Sequence, residues 1–423
     1  MIYKIKSKSI KDVFSMVSAQ VLLRPFQIAK SFLVAKYLGP EIYGILKSTE
    51  LIKMLNKFGS LGFKPTIIRN VTTARAQGNK NEEIDIKNNA YTAELILSII
   101  IVLISLVSSF FFTNYLIKIS IILSSLGLFL SKIFGLFETE LRLNKEFTYL
   151  SRFILLQGIL NSVFISLTVP FFNFYSVLCI PIATSIFIIF RIFRITNKFF
   201  VFKLNWLKLK DIFKVSIPLT FGTLSYGFFK YSERIIIITF LGLKATGIFG
   251  FAETIVTIFS SLLIGSVMKV RGIKILEELG KRNYSKVNNI VFKETSILIL
   301  ISLLFIGLIV ILLKYFIPIF LPDWTIAINA TILYSFCIPI KLLSSYIAFV
   351  IKSPTIGKLK FEPLMYLFIT LLMLIGLLIL KYYKYLSLIN FIIVILFCLL
   401  FMHLCYVALY MQSFYFKFVY KND

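Results

Sequence analysis

Long apolar runs constrain the fold of this chain more than any other feature. Leu95–Phe112 and Tyr366–Leu380, for example, contain no charged residue. Of the 423 residues, 58% are hydrophobic, more than a soluble protein of this length could bury. Because a helical span needs about 20 apolar residues, we predict twelve transmembrane helices. They lie near 13–36, 43–66, 89–112, 115–140, 149–171, 174–195, 212–239, 246–270, 291–316, 324–350, 361–381 and 386–411.

The net charge of +27 follows the predicted topology. Lysines and arginines concentrate at both termini and in alternate loops, whereas the opposite loops hold few, namely Lys36, Lys118, Lys244, Lys314, Lys381 and Lys384. The positive-inside rule therefore predicts that both termini are cytoplasmic. The basic excess favours contact with anionic membrane lipids over nucleic acid. All four cysteines fall within predicted spans, so neither a disulfide framework nor a metal site is expected.

A short pattern occurs twice, 203 residues apart. Each copy has two glycines five residues apart and a glutamate six residues later: Gly39, Gly44 and Glu50, then Gly242, Gly247 and Glu253. Six predicted helices separate the copies, so both enter the membrane in the same orientation, as in parallel-repeat carriers. We therefore predict two six-helix lobes, residues 1–197 and 198–423. The glycines would allow a tight turn between antiparallel helices.

Several cations fall within the predicted spans. Each would cost about 2.5–3.5 kcal/mol facing lipid at mid-membrane, so we expect them to face water or partners. Helical spacing places them on polar stripes, which predicts a lumen lined mainly by the first, second, seventh and eighth spans. The candidate lumen cations are Arg24, Lys53, Lys57, Lys230, Arg234 and Lys341. Such a surplus suits an anionic cargo, for example a phosphate group.

The glutamates within the spans admit two interpretations. Glu50, Glu253 and Glu233 could carry a coupling ion, or they could pair with neighbouring cations. For the second interpretation, we expect Glu50 to pair with Lys53. Glu233 would pair with Arg234 or Lys230. Arg24 differs because no carboxylate lies within two helical turns of it, which makes it the first candidate for contact with an anionic cargo.

Several motifs resemble a known family. They are residues 37–44 (YLGPEIYG), 61–63 (LGF), 67–69 (IIR), the second copy at 241–247, and 357–360 (GKLK). With these motifs the chain resembles the polysaccharide transporters. These are the O-antigen and lipid-linked oligosaccharide flippases of the multidrug/oligosaccharidyl-lipid/polysaccharide exporter (MOP) superfamily.

The resemblance implies a fold like that of the multidrug and toxic compound extrusion (MATE) proteins and an alternating-access cycle. The implied cargo is an undecaprenyl-pyrophosphate-linked oligosaccharide, moved from the cytoplasmic to the outer leaflet of a bacterial plasma membrane. Arg24 looks like the family's cavity arginine, and the other five cations are weaker carry-overs. The second lobe departs from this pattern, with Gly227 in the place of Arg24. The resemblance implies no cofactor, leaves proton or sodium coupling open, and suggests polysaccharide-assembly proteins and membrane lipids as partners.

Two other functions compete with this one. A cation-coupled multidrug exporter of the same superfamily would use Glu50 or Glu253 for the coupling ion, but the cation surplus disfavours it. A membrane polymerase or ligase of the same pathway would need a sizeable outer loop, and the predicted outer loops are only a few residues long. No Walker-type glycine loop is present, which disfavours direct ATP drive. The sequence therefore predicts a transporter rather than an enzyme.

Overall fold

The computed structural model describes residues 2–51, 63–196, 201–280, 283–351 and 361–419. Within these ranges the chain is helical, with one short 3₁₀ turn at Pro322–Trp324 and no strand, as predicted. Twelve α-helices are counted there. They are α1 Ile2–Thr49, α2 Phe63–Ala76, α3 Lys80–Ser109, α4 Tyr115–Leu143, α5 Phe147–Thr196, α6 Trp206–Gly280, α7 Tyr284–Phe320, α8 Ala327–Ser335, α9 Cys337–Leu343, α10 Ser345–Ile351, α11 Phe361–Tyr382 and α12 Leu388–Val419.

Three of these helices are interrupted by a single residue with non-helical dihedral angles. The interruptions are at Gly39 in α1, Asn173 in α5 and Gly242 in α6. As a result, α5 and α6 each contain two predicted spans. Seven helical stretches in the described residues are long and apolar enough to cross a membrane. The chain is a multi-pass membrane protein of the predicted all-α class, and the orientation of its termini stays a prediction.

The span predicted at 43–66 is described only in part. Its residues 43–49 belong to α1, where the Ser48 and Thr49 hydroxyls donate to the carbonyls of Ile45 and Leu46. Residues 63–66 belong to α2, and residues 52–62 lie outside the described ranges.

The tenth predicted span, 324–350, is not one continuous helix. It consists of α8, α9 and α10, separated at Phe336 and Ser344. Pro339 lies within α9. Since proline has no backbone N–H and its ring crowds the preceding turn, it disrupts regular helix geometry there.

The chain divides into two compact units. The first unit comprises Met1–Leu38 and Ile45–Gly227. In it α2 packs on α3, α3 on α4, and α4 on α5. Its largest described core cluster includes Phe63, Ile67 and Leu136. This grouping by contacts differs from the division of the repeat at residues 197 and 198, which stays a prediction.

The second unit comprises Gly39–Gly44 and Phe228–Asp423. In this unit α7 packs on α8 and α9, and α12 packs on α8, α9, α10 and α11. An aromatic group surrounds Trp324, whose ring lies 5.2 Å from the Tyr43 ring and 4.6 Å from the Phe251 ring. The six residues 39–44 thus belong to the core of the second unit although they lie early in the sequence.

Candidate functional site

The first glycine of each repeat copy interrupts a helix. Gly39 has φ 67° and ψ 170°, and Gly242 has φ 82° and ψ −177°. This combination of angles is accessible essentially only to glycine. The two copies therefore share a backbone conformation as well as a residue pattern. That conformation explains why the first position of the pattern is a glycine in both copies.

The second glycine of each copy has a different role, which is close packing of backbone against backbone. A Cβ atom on Gly44 would collide with the carbonyl oxygen of Leu243 and lie 3.1 Å from the Gly247 nitrogen. A Cβ atom on Gly247 would collide with the carbonyl oxygen of Pro40 and lie 3.0 Å from the Gly44 nitrogen. The two copies of the pattern therefore contact each other reciprocally through their second glycines.

The glutamate of the second copy binds two cations from the other half of α6. Lys230 Nζ lies 3.2 Å from Glu253 Oε1, and the Arg234 guanidinium donates a hydrogen bond to Glu253 Oε2. The Arg234 side chain is 4% exposed and that of Glu253 is 13% exposed, whereas the Lys230 side chain is 41% exposed. One carboxylate thus neutralises one buried cation and partly neutralises a second that reaches solvent or lipid.

Two more predicted residues join this group. Glu233 is buried and interacts electrostatically with Lys341, Lys230 and Arg234. Lys341 Nζ lies 5.9 Å from the centroid of the Tyr334 ring, a cation–π arrangement. We call Lys230, Glu233, Arg234, Glu253 and Lys341 the second-unit charge cluster. It holds three cations and two carboxylates, which leaves an excess of one positive charge.

The first copy of the repeat has a different charge arrangement. Glu50 pairs with Lys47 of its own helix turn at 3.3 Å, and the two side chains are 28% and 12% exposed. At a displacement of 203 residues, Gln27 and Ser31 occupy the positions of Lys230 and Arg234. The first copy therefore lacks the cations that hold Glu253.

Arg24 lies on α1 in the first unit and is half-buried. Its guanidinium has no ion pair or hydrogen bond with the part of the chain that the structure describes. Further along α1, the Ser31 hydroxyl donates a hydrogen bond to the Gln27 carbonyl at 2.8 Å. Lys53 and Lys57, the remaining predicted cations, lie outside the described residues. Arg24 is thus a partly desolvated cation available to an anion.

The structure contains a buried ion pair in the first unit that the sequence analysis did not predict. Lys132 Nζ lies 3.5 Å from Glu94 Oε1, with side-chain exposures of 3% and 0%. Neither carboxylate oxygen of Glu94 has a hydrogen bond in the described structure. The Lys64 ammonium lies against Gly135, where a Cβ would collide with it. The sequence signal that could have predicted this pair is one isolated charge in each of two adjacent predicted spans, Glu94 in the third and Lys132 in the fourth.

A second polar network joins α2, α3 and α4 at their ends. Arg75 Nη2 donates to Glu83 at 2.7 Å and to the Asn144 side chain at 3.2 Å, and Lys87 contacts both Glu83 and Glu140 at 3.3 Å. The hydrogen bond that Arg75 donates to the Glu83 carboxylate raises the pKa of Arg75 above its usual value. Each charge in this network has an opposite partner, which indicates a structural role.

Comparison with known proteins assigns the family. Residues 9–271 match the model of the family described as polysaccharide biosynthesis protein. The chain belongs to this family. A comparison with curated protein sequences gives no significant match.

Among solved structures, this family member is similar to MOP-superfamily transporters over nearly its whole length. An inward-facing multidrug resistance MATE transporter gives a TM-score of 0.74 at 17% identity, covering 93% of this chain and 94% of the other. An outward-facing one gives 0.63 at 17% identity, with 96% of each chain covered. A MOP-superfamily transporter from Pyrococcus furiosus gives 0.57 at 17% identity, covering 96% of this chain and 94% of the other. That protein is described as having a reversed binding-pocket polarity that suggests a different function. Family and fold are both those expected of a transporter.

Proposed function

We propose that this protein is a flippase for undecaprenyl-pyrophosphate-linked oligosaccharides. It would move repeat units of O-antigen or another polysaccharide from the cytoplasmic to the outer leaflet of a bacterial plasma membrane by alternating access. The family assignment supports a role in polysaccharide biosynthesis. The transporter fold supports movement across a membrane rather than synthesis.

The observation that carries the proposal is the half-buried Arg24, which has no carboxylate partner among the residues that the structure describes. A guanidinium held away from bulk water and free of an internal anion binds phosphate strongly and in bidentate geometry. The single positive excess of the second-unit charge cluster, through Lys230 or Lys341, supplies a second attraction for the pyrophosphate. Lys53 and Lys57 stay candidates on sequence grounds.

A cation-coupled multidrug exporter is the second candidate, because the similar solved structures include multidrug transporters. Such a protein would need a carboxylate available for the coupling ion or a cationic drug. Glu253 is already engaged by Lys230 and Arg234, and Glu50 is engaged by Lys47. For the Pyrococcus furiosus transporter, a reversed pocket polarity is described as suggesting a different function. By the same reasoning, the excess of cations in this protein favours an anionic cargo over a cationic drug.

Complementation tests the proposal. A strain lacking its own O-unit flippase would receive the wild-type chain, Arg24→Ala, Arg24→Lys or the matched control Arg152→Ala, which removes an exposed arginine outside the candidate site. Surface polysaccharide would be scored at equal membrane abundance. We expect rescue by the wild type and the control, loss with Arg24→Ala, and partial rescue with Arg24→Lys, because lysine keeps the charge but not the bidentate geometry.

Each outcome separates the function from the site. If the wild type fails to rescue although it is inserted and abundant, with strains carrying several different O-units, the flippase proposal is wrong and the exporter takes precedence. If Arg24→Ala rescues fully, translocation stands and the assignment of Arg24 to the pyrophosphate is wrong.

A further inference from the structure

The segment that leads into α6 has an exposed apolar edge outside the membrane-spanning stretches. Phe202, Trp206 and Leu207 are 70%, 72% and 74% exposed, and their neighbours Val201 and Leu204 are 66% and 57% exposed. Among the described residues, the nearest stretches that qualify as spans end at Arg194 and begin at Leu224. We call residues 201–214 the linker segment. Bulky apolar side chains that cluster together and are more than half exposed mark an interaction surface.

The linker segment is fixed to the first unit by its backbone, so the exposed edge has a defined direction. The Lys203 backbone N–H donates to the Thr92 hydroxyl at 3.1 Å, and the Asn205 N–H donates to the Asn89 side-chain oxygen at 2.5 Å. Asn205 then caps α6 by accepting from the N–H groups of Leu207 and Lys208. These bonds hold an extended stretch of chain and the first helical turn against α3.

The inner face of the same segment is part of the first unit's core. Leu209 and Ile212 are 2% and 3% exposed and pack in the cluster that contains Phe63. The Phe213 ring lies 5.4 Å from the Phe63 ring. Burial of this inner face means that the exposed residues on the other side are not needed to fold the first unit.

Lysines alternate with the exposed apolar residues. Lys203 is paired with Asp85 at 2.7 Å, and Lys214 with Asp211 at 3.2 Å. Lys208 and Lys210 are exposed and have no carboxylate within ion-pair distance in the described structure. The segment therefore presents two positive charges without an ion pair beside its apolar edge, although Lys208 also interacts electrostatically with Asp85.

We propose that the linker segment binds the anionic phospholipid headgroups of the membrane in which the protein sits. Tryptophan and phenylalanine favour the boundary between headgroups and acyl chains. Flanking lysines meet lipid phosphates, each strengthening attachment to an anionic surface by on the order of fivefold. The positive-inside prediction assigns this surface to the cytoplasmic leaflet. Charge complementarity favours anionic lipid over a protein partner as the occupant.

Trp206 allows a direct test. The chain has two tryptophans, and the other, Trp324, is 1% exposed. Purified protein would be placed in vesicles of phosphatidylcholine with either brominated phosphatidylglycerol or brominated phosphatidylcholine, and fluorescence quenching would be measured. Subtracting the signal of Trp206→Phe isolates Trp206. We expect at least threefold stronger association of Trp206 with the anionic than with the zwitterionic brominated lipid.

The double variant Lys208→Gln/Lys210→Gln should remove this preference while Trp206 stays quenched. The matched control Lys244→Gln/Lys314→Gln, which removes two exposed lysines elsewhere, should keep it. Equal quenching of the wild type by both lipids would overturn the headgroup assignment. No quenching of Trp206 by either lipid would overturn the membrane contact itself and point to a protein occupant. The test needs no transport substrate, so its failure is distinct from failure of the proposed function.

Discussion

The reciprocal contact between Gly44 and Gly247 leads to a quantitative prediction. In each case an added Cβ would meet a carbonyl oxygen of the opposite copy, and a backbone carbonyl cannot move away as a flexible side chain can. Overpacking of this kind costs about 1–3 kcal/mol, and we expect the upper value. Alanine regains up to about 1 kcal/mol of helix propensity. Gly44→Ala and Gly247→Ala should therefore each lower the free energy of unfolding by about 2 kcal/mol.

The control is Gly307→Ala in α7, where a Cβ would meet nothing within 4 Å. It should be neutral or slightly stabilising, so the Gly307→Ala protein should be more stable than the Gly44→Ala protein by about 2–3 kcal/mol. The assay is unfolding by sodium dodecyl sulfate in mixed micelles, followed by circular dichroism. Because the two glycines share one contact, the double variant should lose less than the sum of the single losses. A difference below about 0.5 kcal/mol between Gly44→Ala and the Gly307 control, the usual range for neutral surface changes, would refute this reasoning.

Three further predictions use the same unfolding assay. Gly39→Ala and Gly39→Asn should both cost about 1–3 kcal/mol, because the observed ψ lies outside the left-handed helical region that asparagine tolerates; equal stability of Gly39→Asn and the wild type would contradict this. Glu94→Gln or Lys132→Met alone should cost about 3–5 kcal/mol, because each removes one partner of a buried ion pair. The double variant should recover most of this loss, and no recovery would show that the pair is not the cause. Asn89→Ala should cost about 1–3 kcal/mol by leaving the Asn205 N–H without its acceptor, and should increase protease cleavage after the neighbouring lysines; unchanged cleavage would refute the proposed attachment.

The sequence predicted the class of fold and the positions of two helix interruptions. Apolar run length is sufficient for spans because the membrane fixes the length of a helix. The first glycine of each copy indicated a break, and Gly39 and Gly242 interrupt α1 and α6. The contact between Gly44 and Gly247 could not be predicted, because it joins residues 203 apart through tertiary packing.

Charge pairing was less predictable than charge content. Sequence proximity suggested that Glu233 would pair with Arg234 or Lys230. In the structure both cations form ion pairs with Glu253 and also interact electrostatically with Glu233. The reason is that the interruption at Gly242 places the second half of α6 beside the first half, which local spacing does not show. The position of the Lys64 side chain against Gly135 is likewise a tertiary contact, since a glycine on a neighbouring helix leaves room for it.

The most direct test of the central claim is translocation by the purified protein. Proteoliposomes would contain a fluorescent undecaprenyl-pyrophosphate oligosaccharide, and a membrane-impermeant reductant would report how much of it is exposed in the outer leaflet over time. We predict rapid exchange between leaflets with the wild type and Arg152→Ala, and at least a tenfold slower rate with Arg24→Ala. Exchange no faster than in protein-free vesicles, with the wild type correctly folded and reconstituted, would contradict the assignment of this chain as a lipid-linked oligosaccharide flippase.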